Sequence, residues 1–297
     1  MSELKYLLGP MRFNFLILTP ACVLLGLGTA VWTAGTVSAS LAILTLVGAL
    51  CAHISVNAFN EYFDFKSGLD LTTKRTPFSG GTGTLPAHPG IAHGTLHIAW
   101  ITFAITGLIG VYFLYIRGLY LLPLGLLGLL LIFVYTPWLT RNAFLCLIAP
   151  GLGFGPLMVM GTDFVLTGTY SKTAFIASLV PFFLVNNLLL LNQFPDVEAD
   201  RNIGRRHFPI IFGKRASAFV YGAFLVFAYM SIVVGVIYHD LPKVSLIGLF
   251  TLVIAVPAFI GALRYTENGK KLVPYMTMNV VINIATPVLV AIGLFIG

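Results

Sequence analysis

Nine times along its 297 residues this chain runs for about twenty residues with scarcely a charge. The runs cover 13–35, 39–62, 95–116, 118–137, 143–166, 173–195, 216–238, 244–264 and 274–296. A helix of that length crosses a hydrocarbon core of about 30 Å. In lipid every backbone N–H and C=O has to be satisfied within the chain, so a span is a helix or belongs to a closed barrel. These runs are too long and too continuous for barrel strands. The expected fold is therefore all-α: a polytopic membrane protein with nine transmembrane helices in one bundle. Only 9% of residues are charged, against 58% hydrophobic, which rules out a soluble domain. No linker divides the chain, so 1–297 reads as a single transmembrane domain.

The basic residues set the orientation. With the N-terminus in the cytoplasm, 14 of the 17 Lys and Arg fall inside, and only Arg117, Lys172 and Lys243 fall outside. The positive-inside rule then gives a multi-pass protein of the inner (cytoplasmic) membrane, with its C-terminus outside. The net charge of +7 reads as topology plus affinity for anions. No basic stripe interleaved with aromatics points to nucleic acid. Residues 1–10 show no cleavable signal, because the apolar run that follows is too long for one.

Against this apolar background the carboxylates are gathered. Six of the ten acidic residues lie in two stretches, Asn60-Glu-Tyr-Phe-Asp64-Phe-Lys-Ser-Gly68-Leu-Asp70 and Asn192-Gln-Phe-Pro-Asp196-Val-Glu-Ala-Asp200. Each stretch closes an apolar run on the cytoplasmic side. Asn60 and Asp64, Asn192 and Asp196, and Asp196 and Asp200 are four apart, the spacing of one helix face. Asp70 is off that register, but Gly68 lets the chain turn back toward the same point. Clusters of oxygen ligands suit a hard cation such as Mg²⁺, whose shell is completed by water and phosphate oxygens. Two such clusters facing across a cavity suit two ions with a diphosphate between them.

Other polar residues have plainer roles. His53, Asn57, Asn60 and Asp64 form one polar face at the end of the second run, and Asn186, Asn187, Asn192 and Gln193 repeat it in the sixth. His53, Asn279 and Asn283 read as hydrogen-bonding glue between helices. Cys22, Cys51 and Cys146 read as small core residues. Pro156, next to Gly151, Gly153 and Gly155, is expected to kink the fifth run. The Gly-rich stretch 79–86 is no P-loop, since no strand precedes it. It reads either as a mobile lid or as a cradle of backbone N–H groups for an anion.

Taken together these features resemble the UbiA-type membrane prenyltransferases. The likeness covers nearly the whole chain. It is most specific at Asn60–Asp64 with Asp70-Leu-Thr-Thr-Lys74-Arg75-Thr76, at Tyr135-Thr136-Pro137, at Gly151–Thr162, and at Asn192–Asp200 with Arg201 and Gly204. The Asp64–Gly68–Asp70 spacing and Gly151–Thr162 are most similar to the branch acting on 1,4-dihydroxy-2-naphthoate. Two departures stand out: Glu61 where relatives often carry Asp, and no acidic residue in Arg141–Cys146.

The resemblance implies Mg²⁺-dependent transfer of a polyprenyl group from polyprenyl diphosphate to an aromatic acceptor, in a cavity facing the cytoplasm. Two ions are implied, with Mn²⁺ able to substitute, held by Asn60, Asp64, Asp70, Asn192, Asp196 and Asp200. Asp64 and Asp196 are the implied catalytic pair. Lys66, Lys74, Arg75, Arg141 and Arg201 are implied at the diphosphate, and Tyr135 and Asn57 at the acceptor. The isoprenoid tail then calls for an opening to lipid. Prenylation of 4-hydroxybenzoate or a lipid alcohol is the alternative within the class. A membrane transporter is the alternative outside it, though its carboxylates belong at the midplane rather than at one face. Prenyl length and oligomeric state are not fixed by the sequence.

Overall fold

A computed structural model describes residues 4–297, and among these there are helices and turns but no strand. Residues 1–3, on which the N-terminal placement bears, lie outside the described residues. Each apolar run holds a helix. The longer ones are α1 (Leu18–Ala34), α2 (Ala39–Lys66), α3 (Ala92–Arg117), α4 (Leu122–Val134), α5 (Ala143–Thr167), α6 (Lys172–Asn192), α7 (Lys214–Ile237), α8 (Lys243–Arg264) and α9 (Gly269–Ile296). Seven are long and apolar enough to cross a membrane. An eighth is counted if the segments Lys5–Leu16 and Leu18–Ala34, bent by 41°, form one span. The fourth run yields the shorter apolar helix Leu119–Val134. Length and composition thus support seven or eight spans where nine are expected.

Helix starts follow local chemistry. The hydroxyls of Ser38 and Ser171 accept from the backbone N–H groups of Leu41 and Ala174 at the heads of α2 and α6. Asn142 accepts from Phe144 and Leu145 at the head of α5. Each cap satisfies donors that the first turn leaves free.

The fifth helix departs from α geometry where its prolines lie. Pro150 and Pro156 each remove an N–H from the ladder, and Gly153–Met160 widens into a π-helix. Gly155 lets this segment close on the α6 backbone: a Cβ there would stand 2.5 Å from the Ser178 carbonyl oxygen. Gly151 is tighter still against Phe182, and its N–H donates to Asn186 Oδ1 at 2.6 Å.

Buried polar side chains tie the bundle. Asn187 Nδ2 donates to the Tyr221 carbonyl (2.8 Å), the Tyr221 hydroxyl to Asn279 Oδ1 (3.1 Å), and Asn279 Nδ2 to the Asn187 carbonyl (3.2 Å). That ring locks α6, α7 and α9, and Asn283 bonds back to Asn279. His53 Nδ1 pairs with Thr19 Oγ1 at 2.8 Å, joining α1 to α2. The three cysteines are free thiols, with Cys22 and Cys146 buried.

The close α5–α6 contact generates a test. Gly151→Val forces methyl groups onto the Phe182 carbonyl, and overpacking of this kind costs about 1–3 kcal/mol. Its melting temperature in detergent is expected to fall well below wild type. Gly153→Ala, where a Cβ meets open space, is expected to melt within a degree or two of wild type.

Candidate active site

The two acidic stretches meet at one end of the bundle. There α2 runs to Lys66, and Gly68, at φ 80°, turns the chain into the short helix Leu69–Thr72. That turn returns the off-register Asp70 to the cavity that Asp64 lines. The second stretch is built differently from the expectation of one continuous helix. Helix α6 stops at Asn192, residues 193–196 form a turn, and a new helix begins at Val197. Pro195 has no N–H to continue the ladder. Asn192 and Asp196 are therefore brought to the site by a turn, not by stacking on one helix face. Gly204, at φ 83°, then reverses the chain, and Arg205 and His207 come back toward Asp200.

A cavity of about 1040 Å³ opens between the two stretches. All six expected metal ligands line it: Asn60, Asp64, Asp70, Asn192, Asp196 and Asp200. Tyr135 and Asn57 also line it, with Asn57 Nδ2 donating to the Met11 carbonyl at 3.1 Å. Lys66, Lys74, Arg75, Arg141 and Arg201 are exposed and do not line it. Arg201 pairs instead with Glu198 at 3.1 Å.

The cations that do line the cavity are Arg12 and Arg205. Arg205 bridges the two stretches, donating from Nη2 to Asp64 and from Nη1 to Asp200 at 2.8 Å. His207 Nε2 holds the other oxygen of Asp200 at 2.8 Å. Arg12 bonds Glu61 at 2.8 Å through Nε and Asn60 Oδ1 at 2.9 Å through Nη2. Its backbone is left-handed at φ 54°, a conformation costly for a residue with a side chain and frequent at functional sites. Neither arginine stands out in the sequence, where both count only toward topology. The one signal for Arg205 was its place just after Gly204, downstream of Asp200.

The Gly-rich stretch proves to be a strap between the motifs. The Gly80 N–H donates to Asp196 Oδ2 at 3.1 Å. Thr82 donates to Glu61 from both its N–H (2.9 Å) and its hydroxyl (2.8 Å). Positive φ at Gly80, Gly81 and Gly83 lets this backbone turn beside Asp70 and Arg75.

Burial and mutual repulsion act strongly on these acids. Burial, then repulsion from Asp64 and Glu61, pushes Asp70 up to about 7. Burial, then repulsion from Asp200, pushes Asp196 up to about 7 as well. Burial acts the same way on Asp200, but the His207 hydrogen bond and the Arg205 charge outweigh it and hold Asp200 below its ordinary value. Arg205 is held charged: burial opposes it, and Asp64 and Asp200 more than compensate.

The donors fit a hard cation. Asp70 Oδ2, Asn192 Oδ1 and Asp196 Oδ1 are buried and have no hydrogen-bond partner among the described residues. All three belong to side chains lining the same cavity. Among the described residues no three His, Cys, Asp or Glu side chains converge on one point. Mg²⁺ needs no such closure, since one or two carboxylates suffice with water and phosphate oxygens.

Comparison with known proteins places the chain by family and by fold. The model of the UbiA prenyltransferase family matches residues 19–281. A curated relative, the 1,4-dihydroxy-2-naphthoate octaprenyltransferase of Bacillus subtilis, is 29% identical over 191 residues. That match spans 63% of this chain and 60% of the relative's length. An apo UbiA homolog from Aeropyrum pernix has the same fold, with a TM-score of 0.73 at 16% identity over 96% of this chain and 98% of its own. A UbiA homolog from Archaeoglobus fulgidus, solved with DMAPP and Mg²⁺, gives a TM-score of 0.61 at 16% identity over 97% and 99% of the two chains.

The Arg205 bridge is testable by melting. Removing one partner of a buried pair costs about 3–5 kcal/mol because a carboxylate is left uncompensated. Arg205→Ala is expected to lower the melting temperature measured in EDTA. Added Mg²⁺ is expected to recover more of that loss than it adds to wild type.

Proposed function

The chain belongs to the UbiA prenyltransferase family, and we propose that it transfers a polyprenyl group from polyprenyl diphosphate to 1,4-dihydroxy-2-naphthoate, on the route to menaquinone. The observation that carries this reading is the set of buried, unpartnered oxygens on Asp70, Asn192 and Asp196, side chains from two motifs that line one cavity. Carboxylates and a diphosphate repel each other, so oxygen donors gathered in this way favour a cation-bridged substrate over a free anion.

When bound there, Mg²⁺ supplies Lewis-acid charge that steadies the diphosphate as it leaves. Asn60, Asp64, Asp70, Asn192, Asp196 and Asp200 would hold it, as two ions on the proposed reading. The chain's own residues do the rest. Arg205 and Arg12 keep fixed positive charge at the cavity wall, where low dielectric strengthens its pull on the departing oxygen. The exposed Lys66, Lys74, Arg75, Arg141 and Arg201 raise the potential around this end and draw an anionic substrate toward it. Farther in, Phe154, Leu157 and Met158 line the cavity and exclude water from the allylic carbon. Tyr135 and Asn57 wall the space left for the acceptor ring.

The named activity of the Bacillus subtilis relative supports the naphthoate acceptor. The chemistry is compatible. The prenyl C–O bond breaks, a C–C bond forms at the carboxyl-bearing ring carbon, and the resulting β-keto acid loses CO₂ without a dedicated base. No further carboxylate is then required beyond those already at the motifs. The same reading places the motif end in the cytoplasm and gives the bundle nine spans.

Three measurements check this. Asp64→Ala and Asp196→Ala are each expected to lose at least 100-fold in turnover, a loss on the order of 3 kcal/mol in barrier, while remaining folded in detergent. Near-normal turnover in either would remove the metal assignment. Purified protein with dihydroxynaphthoate, Mg²⁺ and a long prenyl diphosphate should yield demethylmenaquinol and CO₂, and EDTA should stop the reaction. Turnover of 4-hydroxybenzoate or a glycerol phosphate instead would move the chain to another branch. A cysteine at the exposed position Lys74 should label only from the cytoplasmic side, and labelling from the opposite side would invert the topology.

A further inference from the structure

The polar face that ends in Asp64 begins deeper in the bundle, at His53. His53 lies seven residues before Asn60 on α2, about 10 Å along the helix axis. Around it the cavity wall is apolar, formed by Ala49, Ala52, Val56 and Phe154. His53 lines the same cavity and is only 7% exposed. A polar side chain inside a membrane bundle is costly, and one that borders a cavity points to a ligand. Its tie to Thr19 accounts for one ring nitrogen, Nδ1. No hydrogen bond engages the other, Nε2, among the described residues.

Thr19 settles which nitrogen carries the hydrogen. Helical threonines commonly return the hydroxyl proton to a carbonyl of the preceding turn, as Thr33, Thr45 and Thr102 do. Thr19 has no such carbonyl among the described residues, and it is fully buried. Its proton therefore goes to Nδ1, since a buried hydroxyl without an acceptor is costly. Nδ1 accepts, and the ring's own N–H is left on Nε2. Asn57, one turn nearer the motif, is the counterpart. Its Nδ2 is spent on the Met11 carbonyl, which leaves Oδ1 as an acceptor with no partner among the described residues. The two groups are four residues apart on one helix face, about 6 Å. Para oxygens on one aromatic ring stand at a similar separation. Phe154 lies against His53, with ring centroids 4.8 Å apart and planes at 78°. It belongs to the π-helical segment of α5, a departure from α geometry that is frequent at functional sites.

We infer that His53 is a specificity-determining residue for the acceptor, donating from Nε2 to a ring oxygen para to the hydroxyl that Asn57 accepts from. The acceptor class is then an aromatic ring with two para oxygens. In 1,4-dihydroxy-2-naphthoate the 1-hydroxyl, beside the carbon that takes the prenyl group, falls to Asn57 on the motif side. The 4-hydroxyl oxygen, farther from the motifs, falls to His53. A ring without that second oxygen leaves a buried N–H with no acceptor, and the site discriminates against it. This inference rests on the prenyl-transfer reading above, and it names the atom of the acceptor that the chain reads.

The test compares kcat/KM for 1,4-dihydroxy-2-naphthoate and for 1-hydroxy-2-naphthoate with one prenyl diphosphate, in purified full-length protein. Two variants separate recognition from the tie to Thr19. The amide of Asn reaches the place of Nδ1 but not of Nε2, and the amide of Gln reaches the place of Nε2 but not of Nδ1. His53→Asn is expected to lower the ratio of the two acceptors by about tenfold or more, with a melting temperature near wild type. His53→Gln is expected to melt lower and to keep most of the ratio. The KM for the prenyl diphosphate is expected to stay unchanged in both. Where His53→Asn does not fold, His53→Ala takes its place. Where His53→Gln does not fold, Thr19→Val takes its place, cutting the same tie while keeping the ring. An unchanged ratio in His53→Asn, or a ratio lost in His53→Gln as well, overturns this inference and leaves the ring as a tie between helices. Absence of wild-type turnover with 1,4-dihydroxy-2-naphthoate overturns the acceptor reading, and this inference with it.

Discussion

Four aspartates share one end of an apolar bundle, and the repulsion among them decides what else that end contains. In water such a cluster costs little. Against a low-dielectric core, like charges a few ångströms apart raise one another's pKa or recruit a cation. The chain does both. Asp70 and Asp196 are pushed up toward neutrality, while Asp64 and Asp200 are bridged by Arg205. The guanidinium thus lies where positive charge is most needed, between the two motifs. On the proposed function, a diphosphate arriving with its own cations would bring both the charge that the carboxylates lack and an anion that Arg205 can accept.

Bringing these groups together depends on where helices stop. A helix continuing past Lys66 would carry Asp70 away from Asp64; Gly68 ends it and reverses the chain. The second motif repeats this with a proline turn after Asn192 and a glycine reversal at Gly204. The π-helical widening around Pro156 acts on the wall in between, where α5 closes on α6 through Gly151 and Gly155. Irregular backbone is found where it lines a cavity or contacts other protein, as the bilayer requires of any segment that leaves α geometry.

The fold was legible because lipid permits so few alternatives. Nine apolar runs with almost no charge left only helices, and the oxygen-rich motifs at the ends of two of them pointed to the candidate site. Asn60, Asp64, Asp70, Asn192, Asp196 and Asp200 all line one cavity. The charged partners were not legible. Composition shows that a cation is needed, but not which one, and the five basic residues expected at the diphosphate, Lys66, Lys74, Arg75, Arg141 and Arg201, are all exposed. Arg12 is 48 residues from its Asn60 partner and Arg205 is 141 from Asp64. Such pairs depend on helix packing, which local spacing does not encode. The same holds for Asn192 and Asp196: a four-residue interval mimics a helix face, while Pro195 inside it breaks the helix.

Glu61 shows how a departure in sequence becomes sensible in three dimensions. Its side chain is fully buried, one residue after Asn60, and is bonded to Arg12 and the Gly-rich strap. There it accepts from Arg12 Nε, the Thr82 N–H and the Thr82 hydroxyl, so both of its oxygens are satisfied. A buried carboxylate bonded this fully has little capacity left for a metal. Its work is mechanical: it anchors Arg12 in a strained left-handed backbone and pins one end of the strap, whose other end reaches Asp196 through Gly80. An aspartate, one methylene shorter, would have to move the helix or the strap to keep the same three bonds. The strap therefore couples the two motifs through backbone as well as charge: displacing Asp196 pulls on Gly80, and through Thr82 on Glu61 and Arg12.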